Sequence, residues 1–162
     1  MEIDKLIKHA TLNKIGAAKE AYRAIKAEIL LNNSSKNPKP EGKEIYSIVL
    51  PFGDEPYSTS VNELELSIIK KQIQIREEQV SMYEANSRKD LADMYKEQMK
   101  YLKKLLPPEI SRDKIQEAVM TAYPNGYSQK EMGKVVKEIK DIYPTADGKI
   151  ISEIVKEHII QN

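Results

Sequence analysis

The stretch from Ser60 to Leu105 restricts the fold more than any other part of the chain. Leu66, Ile69, Ile73, Val80 and Tyr83 recur at three- and four-residue steps, the spacing that lines one side of an α-helix. Arg76 takes the seat where another apolar residue would fall. A second set, Leu64, Ile68, Ile75 and Met82, widens the stripe, so this helix is expected to pack against more than one neighbour. The period breaks near Asn86 and Ser87. It resumes with Leu91, Tyr95, Leu102 and Leu105, with Gln98 as the polar member of the seam. Two long helices with so short a connection fold back as a hairpin. Leu106, Pro107 and Pro108 end it, because proline lacks the amide donor and disfavours helix in the residue before it. The expected division is therefore an N-terminal helical and hairpin domain over 1–108 and a smaller domain over 109–162.

Ahead of the hairpin, residues 2 to 12 place Ile3, Leu6, Ile7 and Ala10 at helical spacing. Residues from about 16 to 32 align Ala18, Ala21, Tyr22, Ile25 and Ile29. These two helices read as an antiparallel pair. From Asn32 to Ser60 the helical pattern is lost: SSKNPKPEGK is a polar loop, IYSIVL a short β-like run, and PFGDEPYSTS holds two prolines and a glycine. Ser60, followed three residues later by Glu63, reads as a capping box that opens the first hairpin helix. The fold class expected is all-α, with a short β or irregular insertion at 45–58.

Three short helices are expected after the proline pair. The first, about 111 to 122, turns Ile115, Val119 and Met120 inward, and Pro124, Asn125 and Gly126 make the turn that follows. The second opens with a Ser128 and Glu131 capping box and carries Met132, Val135, Val136 and Ile139. The third starts near Asp147, whose carboxylate suits the positive end of a helix, and carries Ile150, Ile151, Ile154, Val155 and Ile159.

Charge argues against a protein coated for nucleic acid, since 26 basic residues face 25 acidic ones. Residues 1–108 hold 18 against 16 and residues 109–162 hold 8 against 9, so any basic face must be local. Cysteine is absent, which removes thiolate nucleophiles and cysteine-based metal sites and fits a cytoplasmic location. No apolar run is long enough to span a bilayer, and MEIDKLIKHA is neither a secretory signal nor a transit peptide. His9 and His158 lie in opposite terminal helices without a second ligand at metal spacing, and both read as surface residues. No nucleophile motif, phosphate loop or dinucleotide fingerprint is present, so the expectation is no catalytic residue, no metal and no cofactor.

The candidate binding residues lie in the last third. Lys130, Lys134 and Lys137 follow one another at four- and three-residue steps, with Lys149 across the next turn, a spacing suited to tracking phosphates. Glu138 and Asp141 share the helix, and a mixed solvated face is the ordinary condition of an exposed helix. Tyr123, Tyr127 and Tyr143 stand at helix ends, where tyrosine either stacks on bases or packs half-buried. Gly133 inside a helix reads first as a point of close helix contact, and Gly148 beside Asp147 as helix-start geometry.

Taken in order, Tyr83 with Ala85, Arg88-Lys89-Asp90-Leu91, Leu102, Leu106-Pro107, Gly126, Met132-Gly133-Lys134-Val135 and Ala146-Asp147-Gly148-Lys149 resemble the YqeY family. Arg23, Ile25 and Lys26 fit an Arg-x-Leu-Lys pattern of the same family. Its C-terminal half is similar to the helical tail domain of the GatB subunit of glutamine-dependent tRNA amidotransferase. The sequence departs from the family pattern at Gln98, where a glutamate is usual, at Leu105, where a tyrosine is usual, and at Pro144, near a usual glycine. The resemblance implies a non-catalytic helical adaptor that binds tRNA or a tRNA-processing protein through residues 111–162. The family label of carbon-nitrogen ligase with glutamine as amide donor describes the larger enzyme, whose catalytic portions are not in this sequence. A protein-interaction module that binds no RNA, using the 33–59 segment or an open hairpin face, is the alternative, and an enzymatic activity of its own is the third.

Overall fold

Each apolar stripe becomes a helix with nearly the expected bounds, because each has a neighbouring face to bury itself against. The computed structural model describes residues 1–52 and 55–160. In chain order these form α1 (Ile3–Leu12), α2 (Gly16–Asn33), β1 (Glu44–Phe52), β2 (Glu55–Asn62), α3 (Glu63–Ala85) and α4 (Lys89–Lys103). Then come α5 (Arg112–Ala122), a 3-10 turn at Gln129–Glu131, α6 (Met132–Ile142) and α7 (Gly148–Glu157). The chain divides into two compact units, Met1–Pro107 and Pro108–Asn162, each with its own apolar core.

In the first unit α2 packs against α1, α3 and α4, and α3 packs against α4. Leu6, Ile25, Val61, Ile69, Leu102 and Leu105 are fully buried at the centre, each side chain contributing about 1.5–3 kcal/mol by leaving water. The two polar seats of the seam meet: Arg76 Nε donates to Gln98 Oε1 at 2.9 Å, and Arg76 Nη1 donates to Gln72 Oε1 at 2.7 Å and to the Gln72 carbonyl at 3.1 Å. All three side chains are buried. This bond joins positions 22 residues apart and sets which turn of α4 faces α3. Tyr83 and Tyr95 stack in parallel at 5.8 Å nearer the turn.

Both helical turns of this unit close in the same way. After α3, Ser87 adopts φ 57°, its amide donates to Glu84 O at 3.2 Å, and the Arg88 amide donates to Tyr83 O at 2.8 Å. After α1, Lys14 adopts φ 55°, its amide donates to Thr11 O at 3.2 Å, and the Ile15 amide donates to Ala10 O at 2.9 Å. This paired pattern satisfies the last carbonyls of a helix, usually with glycine in the left-handed seat.

The insertion is a regular hairpin, longer than the expected 45–58 stretch. The strands pair antiparallel with Tyr46 opposite Val61, Ile48 opposite Thr59 and Leu50 opposite Tyr57, and a bulge lies between Glu44 and Tyr46. Ile48, Leu50, Thr59 and Val61 are buried on one face while Val49 is exposed on the other. Both strands are edges, so Pro51 and Pro56, paired opposite each other, remove no ladder bond from a central strand. Gly53 and Asp54 lie outside the described residues. Ser60 therefore sits in β2 and does not cap α3. The cap is Asn62, whose Oδ1 accepts from the Glu65 amide at 2.8 Å while Glu65 Oε1 accepts from the Asn62 amide at 3.0 Å. The same box motif exists two residues later, and the strand, by running to Asn62, decides between them.

In the second unit Ile115, Val119, Val135, Ile139, Ile151 and Ile154 fill the centre. Met120 is 60% exposed and does not point inward as its spacing suggested. It stands 100° around α5 from Val119, and a helix of 11 residues with one partner side buries a narrow stripe. Ser128 and Glu131 form the expected capping box, with the Glu131 carboxylate accepting from the Ser128 amide at 2.9 Å. Gly126 adopts φ 79°, and a Cβ there would collide with Ile160. Gly133 corrects the reading of close helix contact: a Cβ built on it meets no atom within 4 Å. Its role in the motif is not packing.

Four substitutions test these assignments by denaturant titration. Ser87→Gly and Lys14→Gly are each expected to stabilise the protein by about 0.5–1 kcal/mol, by relieving a left-handed side chain; a loss would contradict the turn geometry. Gly126→Ala combines a strained φ with a collision and is expected to cost about 2 kcal/mol or more. Gly133→Ala is expected to leave stability unchanged or raise it by up to about 1 kcal/mol, and a clear loss would restore the contact explanation.

Candidate nucleic-acid interface

The four lysines are displayed by two well-capped helix starts. Lys130 lies in the 3-10 turn that Ser128 and Glu131 nucleate, Lys134 and Lys137 lie on α6, and Lys149 lies in the first turn of α7. All four are exposed. Lys134 Nζ comes within 4.0 Å of Glu138 Oε1. No ion pair holds Lys130, Lys137 or Lys149 among the described residues. On α6, Lys134 and Lys137 lie about 60° apart around the helix, and Asp141, one turn beyond Lys137, falls between them. Nothing ties Lys149 to the other three by a hydrogen bond or ion pair.

Several carboxylates of this unit are already engaged elsewhere. Asp147 caps α7 by accepting from the Lys149 amide at 2.9 Å, so the positive end of that helix is covered by the protein's own carboxylate. Glu131 is held by the Ser128 amide and hydroxyl, which keep its carboxyl below the usual range. Arg112 draws in Glu153 at 3.2 Å and Glu157 at 3.3 Å. Glu138 accepts a hydrogen bond from the Tyr123 hydroxyl, which pushes that hydroxyl up to about 12. Lys140 is set apart from the other lysines, because its Nζ donates to Ala146 O at 2.5 Å across the α6–α7 turn.

The tyrosines turn out to be packing residues. Tyr127 is 3% exposed, donates from its hydroxyl to Val155 O at 2.6 Å, and meets the Tyr123 ring edge to face at 5.3 Å. Its carbonyl accepts from the Ile160 amide at 3.0 Å. Tyr143 packs against the same core. Tyr127 is thereby committed to the fold, and Tyr123 and Tyr143 pack half-buried against the same core.

One basic residue escaped notice in the sequence. Lys156 lines a shallow cleft of about 860 Å³ together with Lys130, Ser128, Gln129, Met132 and Ile159. It stands far from Lys130 in sequence, and only the packing of α7 beside the 3-10 turn puts both at one opening. The histidines also need correction: both are half-buried, not surface residues. His9 lies beside Asn13, whose amide nitrogen is 3.2 Å from Nδ1, and His158 Nε2 is fully buried without a partner among the described residues. Among the described residues no group of three or more His, Asp or Glu is placed to hold a metal ion, and no helix is long and apolar enough to cross a membrane.

No curated protein matches the chain in a sequence comparison. Against protein families, residues 57–159 match YqeY, described as Yqey-like protein. The match takes in β2, the α3–α4 hairpin and the helices of the second unit, and leaves α1, α2 and β1 outside it. That span is well over half of the chain, which therefore belongs to the YqeY family.

Proposed function

We propose that this small helical YqeY protein is a non-catalytic adaptor that binds tRNA or a tRNA-processing protein through the second unit. The observation that supports this reading most is the state of Lys130, Lys137 and Lys149, exposed cations with no ion pair among the described residues, while carboxylates around them serve as caps or hold Arg112. An unpaired ammonium on a short helix exchanges its counterion for a phosphate at little structural cost. The resemblance to the amidotransferase tail domain that the sequence motifs imply for the C-terminal half points the same way and suggests association with tRNA-dependent amide transfer. Lys156, at the opening it shares with Lys130, would extend the surface.

Fluorescence anisotropy with labelled tRNA tests the proposal. Saturable binding at low salt is expected, weakening steeply as salt rises, with a log–log slope of about 0.9 for each phosphate neutralised. Changing Lys130, Lys134 and Lys137 together to Glu is expected to weaken binding at least tenfold. The same reversal at Lys36, Lys39 and Lys43, in the exposed loop of the first unit, should change it little. A titration that stays flat with the natural chain would discard the RNA reading in favour of a protein-interaction module.

A further inference from the structure

The Arg76 network that joins α3 to α4 forms the wall of an open groove of about 680 Å³ in the first unit, with Arg23 and Glu20 of α2 on the opposite side. Arg76 is a cation, 6% exposed, and no carboxylate of the described residues pairs with it. A guanidinium withdrawn from water and bonded only to neutral acceptors is costly, and its charge is left uncompensated. Burial correspondingly pulls the Arg76 pKa below its ordinary value.

The hydrogen bonds fix which atoms are displayed. Guanidinium donates and never accepts, so Gln72 and Gln98 must turn their amide oxygens toward Arg76, as they do. Their amide NH2 groups are thereby turned away from it. Those two nitrogens and Arg76 Nη2 have no acceptor among the described residues, yet none is fully enclosed, since His158 Nε2 is the one fully buried side-chain nitrogen or oxygen without a partner there. Three donor groups without an acceptor among the described residues, from two helices, therefore belong to side chains that line one groove. Of the residues lining it, Glu20 is the one carboxylate, and it pairs with Arg23 at 3.5 Å, so two cations face one anion.

We propose that this groove binds a phosphate group, with Arg76 Nη2 and the Gln72 and Gln98 amides donating to its oxygens. Donors fanned across three side chains suit an acceptor with three or four oxygens better than the two of a carboxylate. The group is either free phosphate or a phosphodiester of an RNA strand. The site lies in the first unit and does not depend on the lysines of α6.

The test is a thermal melt of the full chain in potassium phosphate against potassium chloride at equal ionic strength. A saturable rise of about 5 °C in phosphate is expected for the natural chain. Gln98→Glu places an internal carboxylate against Arg76 Nε. It is expected to melt at or above the natural chain in chloride and to lose the phosphate response. Gln72→Glu, which does the same against Nη1, serves where the first variant does not fold. In a parallel arm, labelled tRNA is titrated into the natural chain and Gln98→Glu. A phosphate response that Gln98→Glu removes identifies free phosphate; no response to phosphate but a fivefold or greater loss of tRNA affinity identifies a phosphodiester. A phosphate response that survives both variants, or the absence of both effects, overturns the proposal. The triple lysine-to-glutamate variant should retain the phosphate response, so failure of the α6 surface and failure of this groove are read separately.

Discussion

The first unit depends on how α3 and α4 accommodate a charged residue in the middle of their shared seam. Arg76 falls where an apolar side chain is due, and a buried guanidinium demands acceptors. Gln98 supplies one across the interface and Gln72 supplies two from a turn below. That requirement fixes the pairing of the helices, because sliding α4 by a turn would carry Gln98 out of reach and leave Arg76 without its cross-helix partner. With the hairpin so aligned, Leu102 and Leu105 arrive fully buried, and the Leu105 carbonyl accepts from the Tyr46 hydroxyl at 2.7 Å. The β-hairpin is thus anchored to the end of α4. Burial, and after it the Glu65 carboxylate, push the Tyr46 phenol well above its ordinary range, consistent with a neutral donor.

The second unit is organised by local caps and by one tyrosine. Ser128 with Glu131, Ser111 and Asp147 each satisfy backbone amides at a helix start, which lets three short helices form where none is long enough to persist alone in water. Tyr127 then fastens the chain end, through its hydroxyl to α7 and its carbonyl to Ile160. These devices consume polar groups that would otherwise compete for the lysines. The surface left over is cationic along part of α6 and at the cleft shared by Lys130 and Lys156. Architecture and candidate surface are therefore products of the same caps.

Much of this was legible residue by residue. The stripes of α1 to α4, the proline stop after Leu106 and the box at Ser128 all rest on spacing within one turn or on chemistry confined to neighbours. The errors share a different cause. Ser60 and Asn62 offer overlapping caps, and strand pairing chose Asn62 by holding Ser60 in the sheet. Period alone turns Met120 inward, whereas the width of a buried stripe depends on how many partners surround the helix. Gly133 was assigned a neighbour that the fold does not bring to it. The left-handed turns at Lys14 and Ser87 left no mark, since neither residue is the glycine that usually announces them. At the candidate surface the lysines of α6 can be found by counting and half-buried packing is the ordinary expectation for tyrosines at helix ends, whereas Lys156 could not be found that way.

Periodicity and punctuation in this chain were sufficient to specify the helices, because those features arise from interactions between residues a few positions apart. Whether Arg76 and Gln98 were a flaw in the seam or its fastening could not be read there. The answer required two helices to meet, since the worth of a buried polar group is set by what stands opposite it and how little water reaches the pair. The same holds for the donors beside Arg76: that their side chains line one groove is a property of three packed helices and of no single segment.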